Sequence, residues 1–237
     1  MLVPAMIQQE VNTEILRDES KLIKSTIPRL FEEYARERKK LKIDKAQTYN
    51  RCYSIKTAAK NNWLFFIEKS YGASRFKGGS DLVGGGLVYY YNTQGLRAFR
   101  PQEEFMEVFN GHFFTRYNQR MGLNLPYQLD VIKTFFKNSG YLKPEVMTKP
   151  DGEKYTLSVC KDGLALGRYY AGEPDWLIHR TFISHDLKTP KQLLEQQRLI
   201  LQMQHEIILK ADETTLDGVR NLRFQQGVAK HISGVAV

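Results

Sequence analysis

The first third of the chain has a helical pattern of hydrophobic residues. From about Gln8 to Asn61 apolar side chains recur every three or four positions, at Ile15, Leu22, Ile23, Ile27, Leu30, Phe31 and Tyr34. Pro28 interrupts this pattern, and proline is tolerated in the first turn of a helix but not in its interior. The pattern therefore predicts one helix that ends before Pro28 and a second that starts there.

A change to short apolar runs at Trp63 predicts β-strands. Trp63 to Ile67 is typical of a buried strand, and Leu87 to Asn92 and Leu96 to Phe99 form two more β-prone runs. The turn between the last two ends at Gly95, where a hairpin favours a residue that tolerates positive φ. The glycine-rich stretch from Gly72 to Gly86 predicts a flexible loop that could act as a lid, because its glycines have no side chains to pack.

The second half of the chain repeats this order of helix and strand. Gly111 to Arg120 and Tyr127 to Asn138 have helical periodicity, whereas the apolar cluster from Phe105 to Phe109 fits either a helix start or an extra strand. Three further runs predict an antiparallel meander, and a capping pattern at Thr189 predicts a long helix to about Lys210. The runs of the meander are Lys154 to Cys160, Leu164 to Tyr170 and Trp176 to Ser184.

Strands that are joined by hairpins and separated from helices indicate an α+β protein with a largely antiparallel sheet. The predicted segments are an N-terminal helical segment at 1–62, an α+β core domain at 63–186 and a C-terminal helical segment at 187–237. The terminal helices are candidates for homo-oligomer contacts. No apolar run approaches the ~20 residues that cross a bilayer, and no signal peptide is recognisable, which favours a soluble, cytoplasmic protein without a membrane partner.

The chain carries more positive than negative charge. It contains 35 lysines and arginines against 26 acidic residues, a formal net charge of +9, which fits an anionic partner such as RNA, DNA or an acidic protein surface. The densest basic cluster includes Arg38, Lys39, Lys40 and Lys42, and it is either a solvated helix face or a contact to a nucleic-acid backbone. The two cysteines, Cys52 and Cys160, lie far apart in the sequence and indicate neither zinc nor a disulfide framework.

The segment Gly111 to Arg120 contains the candidate chemistry. On a helix, His112, Arg116 and Arg120 lie on one face, where an imidazole and two guanidinium groups could bind phosphate. The imidazole could exchange a proton with a ribose hydroxyl without a metal or other cofactor, and Tyr117 could stack on a base or donate a proton. Alternatively, the arginines pair with nearby acidic residues and His112 caps the helix.

Other basic residues could extend an anionic track. Arg97, Arg100 and Arg180 are the candidates, and the strand from Trp176 to Ser184 mixes polar and apolar residues on both faces. Strict alternation there places His179 opposite to Arg180 and Phe182. His185 and Asp186 lack a third metal ligand at a suitable spacing, so a loop at the entry to a helix is the better interpretation.

The run His112 to Arg120, followed by a short helix and a meander that ends at Arg180 to Ser184, resembles RelE-like toxins within the barnase-like ribonuclease group. The resemblance covers about Gly111 to Ser184 and rests on a His-x3-Arg-x3-Arg helix packed on an antiparallel sheet. It implies metal-independent RNA cleavage, with His112, Arg116 and Arg120 at the matching positions. Non-catalytic relatives of this layout are equally compatible with the pattern.

These observations lead to one main hypothesis and two alternatives. The main hypothesis is an RNA-binding protein that could act as a metal-independent endoribonuclease of toxin type. The first alternative is a non-enzymatic assembly or interaction protein of a phage or other mobile element, and the second is a DNA-binding regulator, although no helix-turn-helix is recognisable.

Overall fold

The protein combines four helices with a nine-stranded sheet, within the residues that the structure describes. This computed structural model describes residues 1–42, 50–69, 82–93, 95–102, 104–139, 143–187 and Arg198. The helices are α1 (Gln8–Ser25), α2 (Ile27–Lys40), α3 (Gly111–Arg120) and α4 (Gln128–Ser139). The strands are β1 (Asn50–Lys56), β2 (Asn62–Lys69), β3 (Leu82–Asn92), β4 (Gly95–Pro101), β5 (Phe105–Phe109), β6 (Lys143–Thr148), β7 (Lys154–Cys160), β8 (Gly163–Tyr170) and β9 (Asp175–Ser184).

The strand order is β1-β2-β3-β4-β5-β9-β8-β7-β6, and it confirms the predicted α+β class. Every neighbouring pair is antiparallel except β5 and β9, which run parallel at the centre of the sheet. A parallel pair needs a long connection between its strands. Here that connection consists of α3, α4 and the three strands β6 to β8.

The helices cover both faces of the sheet. α1 packs on one face, where Val11 and Ile15 meet the strand residues Val88, Phe99 and Trp176. α2 extends this layer, with Tyr34 packed beside buried residues of β2. α3 and α4 pack on the opposite face, around an aromatic core. Its phenylalanines are Phe109, Phe113, Phe114, Phe135, Phe136 and Phe182. The fold is therefore a three-layer arrangement of helix, sheet and helix.

α1 is fixed to the sheet by polar contacts as well as by apolar packing. The Oδ2 atom of Asp18 accepts hydrogen bonds from Trp63 Nε1 and Asn61 Nδ2, each at 2.9 Å, and from Thr57 Oγ1 at 2.8 Å. Asp18, Asn61 and Trp63 are all buried. Because buried donors without an acceptor are costly, this carboxylate holds three groups of the strand layer to α1.

Several local predictions are confirmed. The first two helices are separated at Thr26, and Pro28 lies in the first turn of α2. Gly95 has a φ of +103°, as the hairpin between β3 and β4 requires. Of the two interpretations left open for Phe105 to Phe109, a helix start or an extra strand, the structure shows the strand. Apart from Arg198, the long helix predicted from Thr189 to Lys210 lies outside the described residues.

Two predictions about segments are wrong, and one strand was missed. The helical pattern does not continue to Asn61, because Asn50–Lys56 forms β1 at the edge of the sheet. The loop predicted from Gly72 to Gly86 is wrong at its end, because Gly84 to Gly86 belong to β3 and pair with β2, where Gly86 lies against the rings of Trp63 and Phe65. Residues 72–81 of that predicted loop lie outside the described residues. β6 was not predicted from the sequence.

A β-bulge in β9 overturns the predicted alternation of its side chains. Gly167 of β8 pairs with His179, but its neighbour Leu166 pairs with Thr181, so Arg180 is the extra residue. Such an insertion shifts the two-residue period of a strand by one position. As a result, His179 and Phe182 both face the core beneath α3, and Arg180 is exposed.

Candidate functional site

The outward face of α3 carries His112 and Arg116 side by side. Both residues are exposed, while the inward face of the same helix buries Phe113 and Phe114 in the aromatic core. The Nε atom of Arg116 donates a hydrogen bond to Nε2 of His112 at 3.3 Å, and Nη1 donates to Oε1 of Gln119 at 3.3 Å. In this arrangement the imidazole accepts at Nε2, as a neutral ring does.

Arg120 follows on the same face but is oriented towards the sheet. It is half-buried, and its Nη1 donates a hydrogen bond to the backbone carbonyl oxygen of Phe182 in β9. The contact ties the last turn of α3 to the central strand. We call the face of α3 that carries His112, Arg116 and Arg120 the ridge. It divides into two exposed residues, His112 and Arg116, and a third that joins helix and sheet.

Tyr117 does not lie beside the ridge, as the sequence suggested, but in the core. Its ring is buried, with centroids 4.9 Å from those of Phe135 and Phe182. Its hydroxyl donates a hydrogen bond to Oδ2 of Asp162 at 2.8 Å. Four positions after Phe113 and three after Phe114, Tyr117 belongs to the inward stripe of the helix.

The basic residues outside α3 do not form one track. Lys39, Lys40 and Lys42 are exposed at the end of α2, on the sheet face opposite to α3, and Arg38 beside them is half-buried. Arg97 also lies on that opposite face, where its guanidinium carbon is 5.2 Å from the ring centroid of Phe99. It is 5.3 Å from that of Trp176. Arg180 is exposed at the bulge of β9.

Arg100 is part of a buried charge network beneath α4. Its guanidinium forms an ion pair with Glu107, and it also lies 5.3 Å from the ring centroid of Phe136. Glu107 Oε2 also accepts from Nε2 of Gln102 at 3.1 Å, and Oε1 lies 3.1 Å from Nε2 of His179. Arg100 is therefore engaged in the interior and does not offer its charge to a surface ligand.

The electrostatics of this network depend on Glu107. Both Glu107 and His179 have 0% side-chain exposure, and Arg100 has 11%. Burial alone raises the pKa of Glu107, but the charge of Arg100 and the hydrogen bond from His179 together outweigh it and lower the pKa below its ordinary value. Glu107 is consequently an ionised carboxylate held inside the sheet layer. Arg100, Gln102 and Glu107 are close in the sequence, but His179 follows Glu107 by 72 positions, and the sequence did not reveal the association of these residues.

Gln128 links the ridge to the tip of the β3–β4 hairpin, and this link was also missed from the sequence. Its Oε1 accepts a hydrogen bond from the backbone nitrogen of Leu96 at 2.9 Å. Its Nε2 lies 3.5 Å from the carbonyl oxygen of Gly111 and 3.5 Å from Thr115 Oγ1 in α3. The preceding residue in the chain, Tyr127, is exposed, as is Tyr91, which pairs with Leu96 across the hairpin.

Among the described residues, no group of three histidine, cysteine or acidic side chains is placed to hold a metal ion. Similarly, no helix in the described part of the chain is long and apolar enough to cross a membrane. The comparisons with known proteins gave no match to a family model, to a curated protein or to a solved structure. The resemblance to RelE-like toxins therefore stays a prediction.

Proposed function

We propose that this protein binds RNA through the exposed face of α3. The observation that carries the proposal is the pair His112 and Arg116, which are adjacent, exposed and held on a helix whose other face is packed in the core. A guanidinium group binds phosphate through two parallel hydrogen bonds, and it does not lose its charge at physiological pH. The net charge of +9 adds a general attraction for a polyanion.

RNA is favoured over DNA by the imidazole next to the guanidinium. In RNA, a phosphate bound at Arg116 has a ribose 2′-hydroxyl close by, and this hydroxyl can donate a hydrogen bond to Nε2 of His112. In the free protein the single lone pair of this nitrogen accepts a hydrogen bond from Arg116, and it becomes available to the hydroxyl when the guanidinium turns to the phosphate. DNA lacks the donor, and we expect it to bind more weakly at this pair.

Cleavage is the further step of this proposal. His112 would take the proton of the 2′-hydroxyl as its oxygen attacks phosphorus, and Arg116 would neutralise the charge that develops there. The 5′-oxygen then leaves and takes a proton from water or from the imidazolium. Arg120 is hydrogen-bonded to the Phe182 carbonyl oxygen, and Tyr117 to Asp162. The proposed chemistry therefore depends on His112 and Arg116.

Binding can be measured by fluorescence anisotropy with a labelled RNA at several salt concentrations. Loss of a charge-assisted contact is worth about 1.5–3 kcal/mol, so Arg116→Ala should raise Kd about 10- to 100-fold. It should also reduce the slope of the logarithm of the binding constant against the logarithm of salt concentration by about one, because one fewer counterion is released. Arg17→Ala is a matched control, because Arg17 is an exposed arginine on α1, at the opposite face of the sheet.

Three outcomes distinguish the parts of the proposal. No binding at low salt, or equal loss in Arg116→Ala and Arg17→Ala, would overturn RNA binding at α3. Equal affinity for DNA of the same sequence would overturn the preference for RNA. Incubation of RNA in EDTA tests cleavage: products that disappear in His112→Ala support it, and intact RNA with the wild-type protein excludes it.

A non-enzymatic role in assembly is the second candidate, and it rests on α1. Leu16 and Ile23 are large, exposed and seven residues apart, so they lie on one stripe of the helix surface. Such a stripe fits contacts between helices of two copies. Light scattering should then show a dimer or larger species that Leu16→Glu converts to a monomer, whereas a wild-type monomer would refute the assembly role.

A further inference from the structure

We infer that the RNA ligand is single-stranded and that its bases stack on Tyr127 and Tyr91, beside the phosphate contact at His112 and Arg116. This inference rests on the proposed function and specifies its substrate class. The supporting observation is that two tyrosines are exposed in the segments that Gln128 connects to α3. Phosphate binding by His112 and Arg116 does not account for the exposure of these two rings.

The exposure of the two tyrosines distinguishes them from the aromatic residues of the core. Tyr127 is 70% exposed and Tyr91 is 60% exposed, whereas Tyr117 and Tyr34 are almost fully buried. A tyrosine ring is large and mostly apolar, so its exposure leaves a flat apolar surface in water. Bases of every type have a π-face that can cover such a ring.

Gln128 connects the chain segments that carry these tyrosines to the start of α3. Gln128 bonds the hairpin at Leu96 and approaches Gly111 and Thr115 in the first turns of α3. Leu96 is the cross-strand partner of Tyr91, and Tyr127 directly precedes Gln128. One glutamine side chain thus connects the neighbourhood of both rings to the helix that carries the ridge.

Both rings are attached to fixed backbone on the correct side of the sheet. Tyr91 shares a face of β3 with Tyr89, and the two rings meet edge to face with centroids 6.2 Å apart. Tyr89 itself packs against the core beneath α3 and α4. The carbonyl oxygen of Tyr127 accepts hydrogen bonds from the first turn of α4, from the nitrogens of Asp130 at 3.1 Å and Val131 at 3.3 Å.

The combination of exposed rings and a cationic ridge selects an unpaired strand. In a duplex the base faces are stacked on each other and cannot reach a protein ring, so a duplex offers this surface only its phosphates. A single strand offers phosphate to Arg116 and bases to Tyr127 and Tyr91 at the same time. Truncation of a stacking ring commonly costs about tenfold or more in affinity.

The test compares a labelled unstructured uridine 12-mer with a 12-base-pair RNA duplex in anisotropy titrations at low salt. Tyr127→Ala should weaken binding of the single strand about tenfold and leave binding of the duplex within about twofold. Tyr127→Phe keeps the ring and should retain the affinity. Arg116→Ala should weaken both ligands, because it removes a phosphate contact. Tyr91→Ala should behave as Tyr127→Ala does.

The results separate this inference from the proposed function. If the wild-type protein binds both ligands and Tyr127→Ala binds them as the wild type does, stacking is overturned and RNA binding stands. If neither ligand binds, the proposed function fails and the inference with it. If Tyr127→Ala changes the oligomeric state in light scattering but not the affinity for RNA, the rings form a contact between protein copies, and this outcome also overturns the inference.

Discussion

Removal of the charge of Glu107 should destabilise the protein far more than removal of an exposed acidic charge. Glu107→Gln keeps the shape of the side chain but leaves the guanidinium of Arg100 without a counter-charge in a site where only 11% of that side chain is exposed. Breaking a buried ion pair by neutralising one partner costs about 3–5 kcal/mol. For a protein of this size each kcal/mol lowers Tm by about 2–4 °C, so Tm should fall by about 6–20 °C.

Glu37→Gln is the matched control for this prediction. Glu37 accepts from Arg51 at 2.7 Å, but the side chains are 31% and 45% exposed, and such surface pairs contribute about 0.2–1 kcal/mol. Urea unfolding followed by tryptophan fluorescence measures both variants on one scale. A loss below about 1 kcal/mol in Glu107→Gln, equal to the loss in Glu37→Gln, would refute the reasoning.

The same network predicts a pH dependence. The pKa of Glu107 in the folded protein lies below its ordinary value of 4.5, so its contribution to stability is complete above that value. The contribution is lost as pH falls through the lower, folded pKa. The difference in unfolding free energy between wild type and Glu107→Gln should therefore be constant near neutral pH and shrink below about pH 4.5. A difference that grows in acid would contradict this assignment.

Three further changes test other parts of the fold. Gly167→Ala should lower the free energy of unfolding in urea by about 1–3 kcal/mol, because the added Cβ would overlap a backbone carbonyl oxygen of β9. A Cβ at Gly85 meets nothing within 4 Å, so Gly85→Ala is the control and should be near neutral. Asp18→Ala should lower the free energy of unfolding by about 1–3 kcal/mol for each buried donor that loses its acceptor. It should also shift the fluorescence emission of Trp63 in the folded protein, because the indole nitrogen loses its hydrogen bond, whereas a loss of stability alone leaves that emission unchanged. Burial raises the pKa of Cys52 to about 11, so maleimide labelling at pH 8 should be slow in the native protein and fast in urea.

The features predicted correctly from the sequence are those that neighbouring residues determine. The break at Pro28 and the positive φ of Gly95 follow from the covalent structure of proline and glycine. The predicted exposure of His112 and Arg116 follows from helical periodicity. The same periodicity contains the signal for Tyr117, because its spacing from Phe113 and Phe114 puts it on the inward stripe.

The features that were missed depend on partners distant in the chain. Gly84 to Gly86 have a loop-like composition, but all three pair with β2, and the rings of Trp63 and Phe65 in β2 lie against Gly86, so the strand forms in spite of its glycines. The bulge at Arg180 is a property of the pairing with β8 and cannot be seen in β9 alone. Glu107 and His179 meet because β5 and β9 are parallel neighbours, although 72 residues separate them.

The topology of the sheet explains why a basic ridge and two exposed tyrosines lie together. β4 and β5 are antiparallel, so the end of β5 at Phe109 pairs with Ala98 in the middle of β4, and the chain after Phe109 runs towards the start of β4 at Gly95. α3 begins two residues after Phe109 and therefore starts next to the tip of the β3–β4 hairpin, which carries Tyr91. Its first residues meet Gln128, the residue that follows Tyr127 at the start of α4. The site that we propose for a single strand is thus a consequence of the turn from β5 into α3, which neither the ridge nor the tyrosines reveal in isolation.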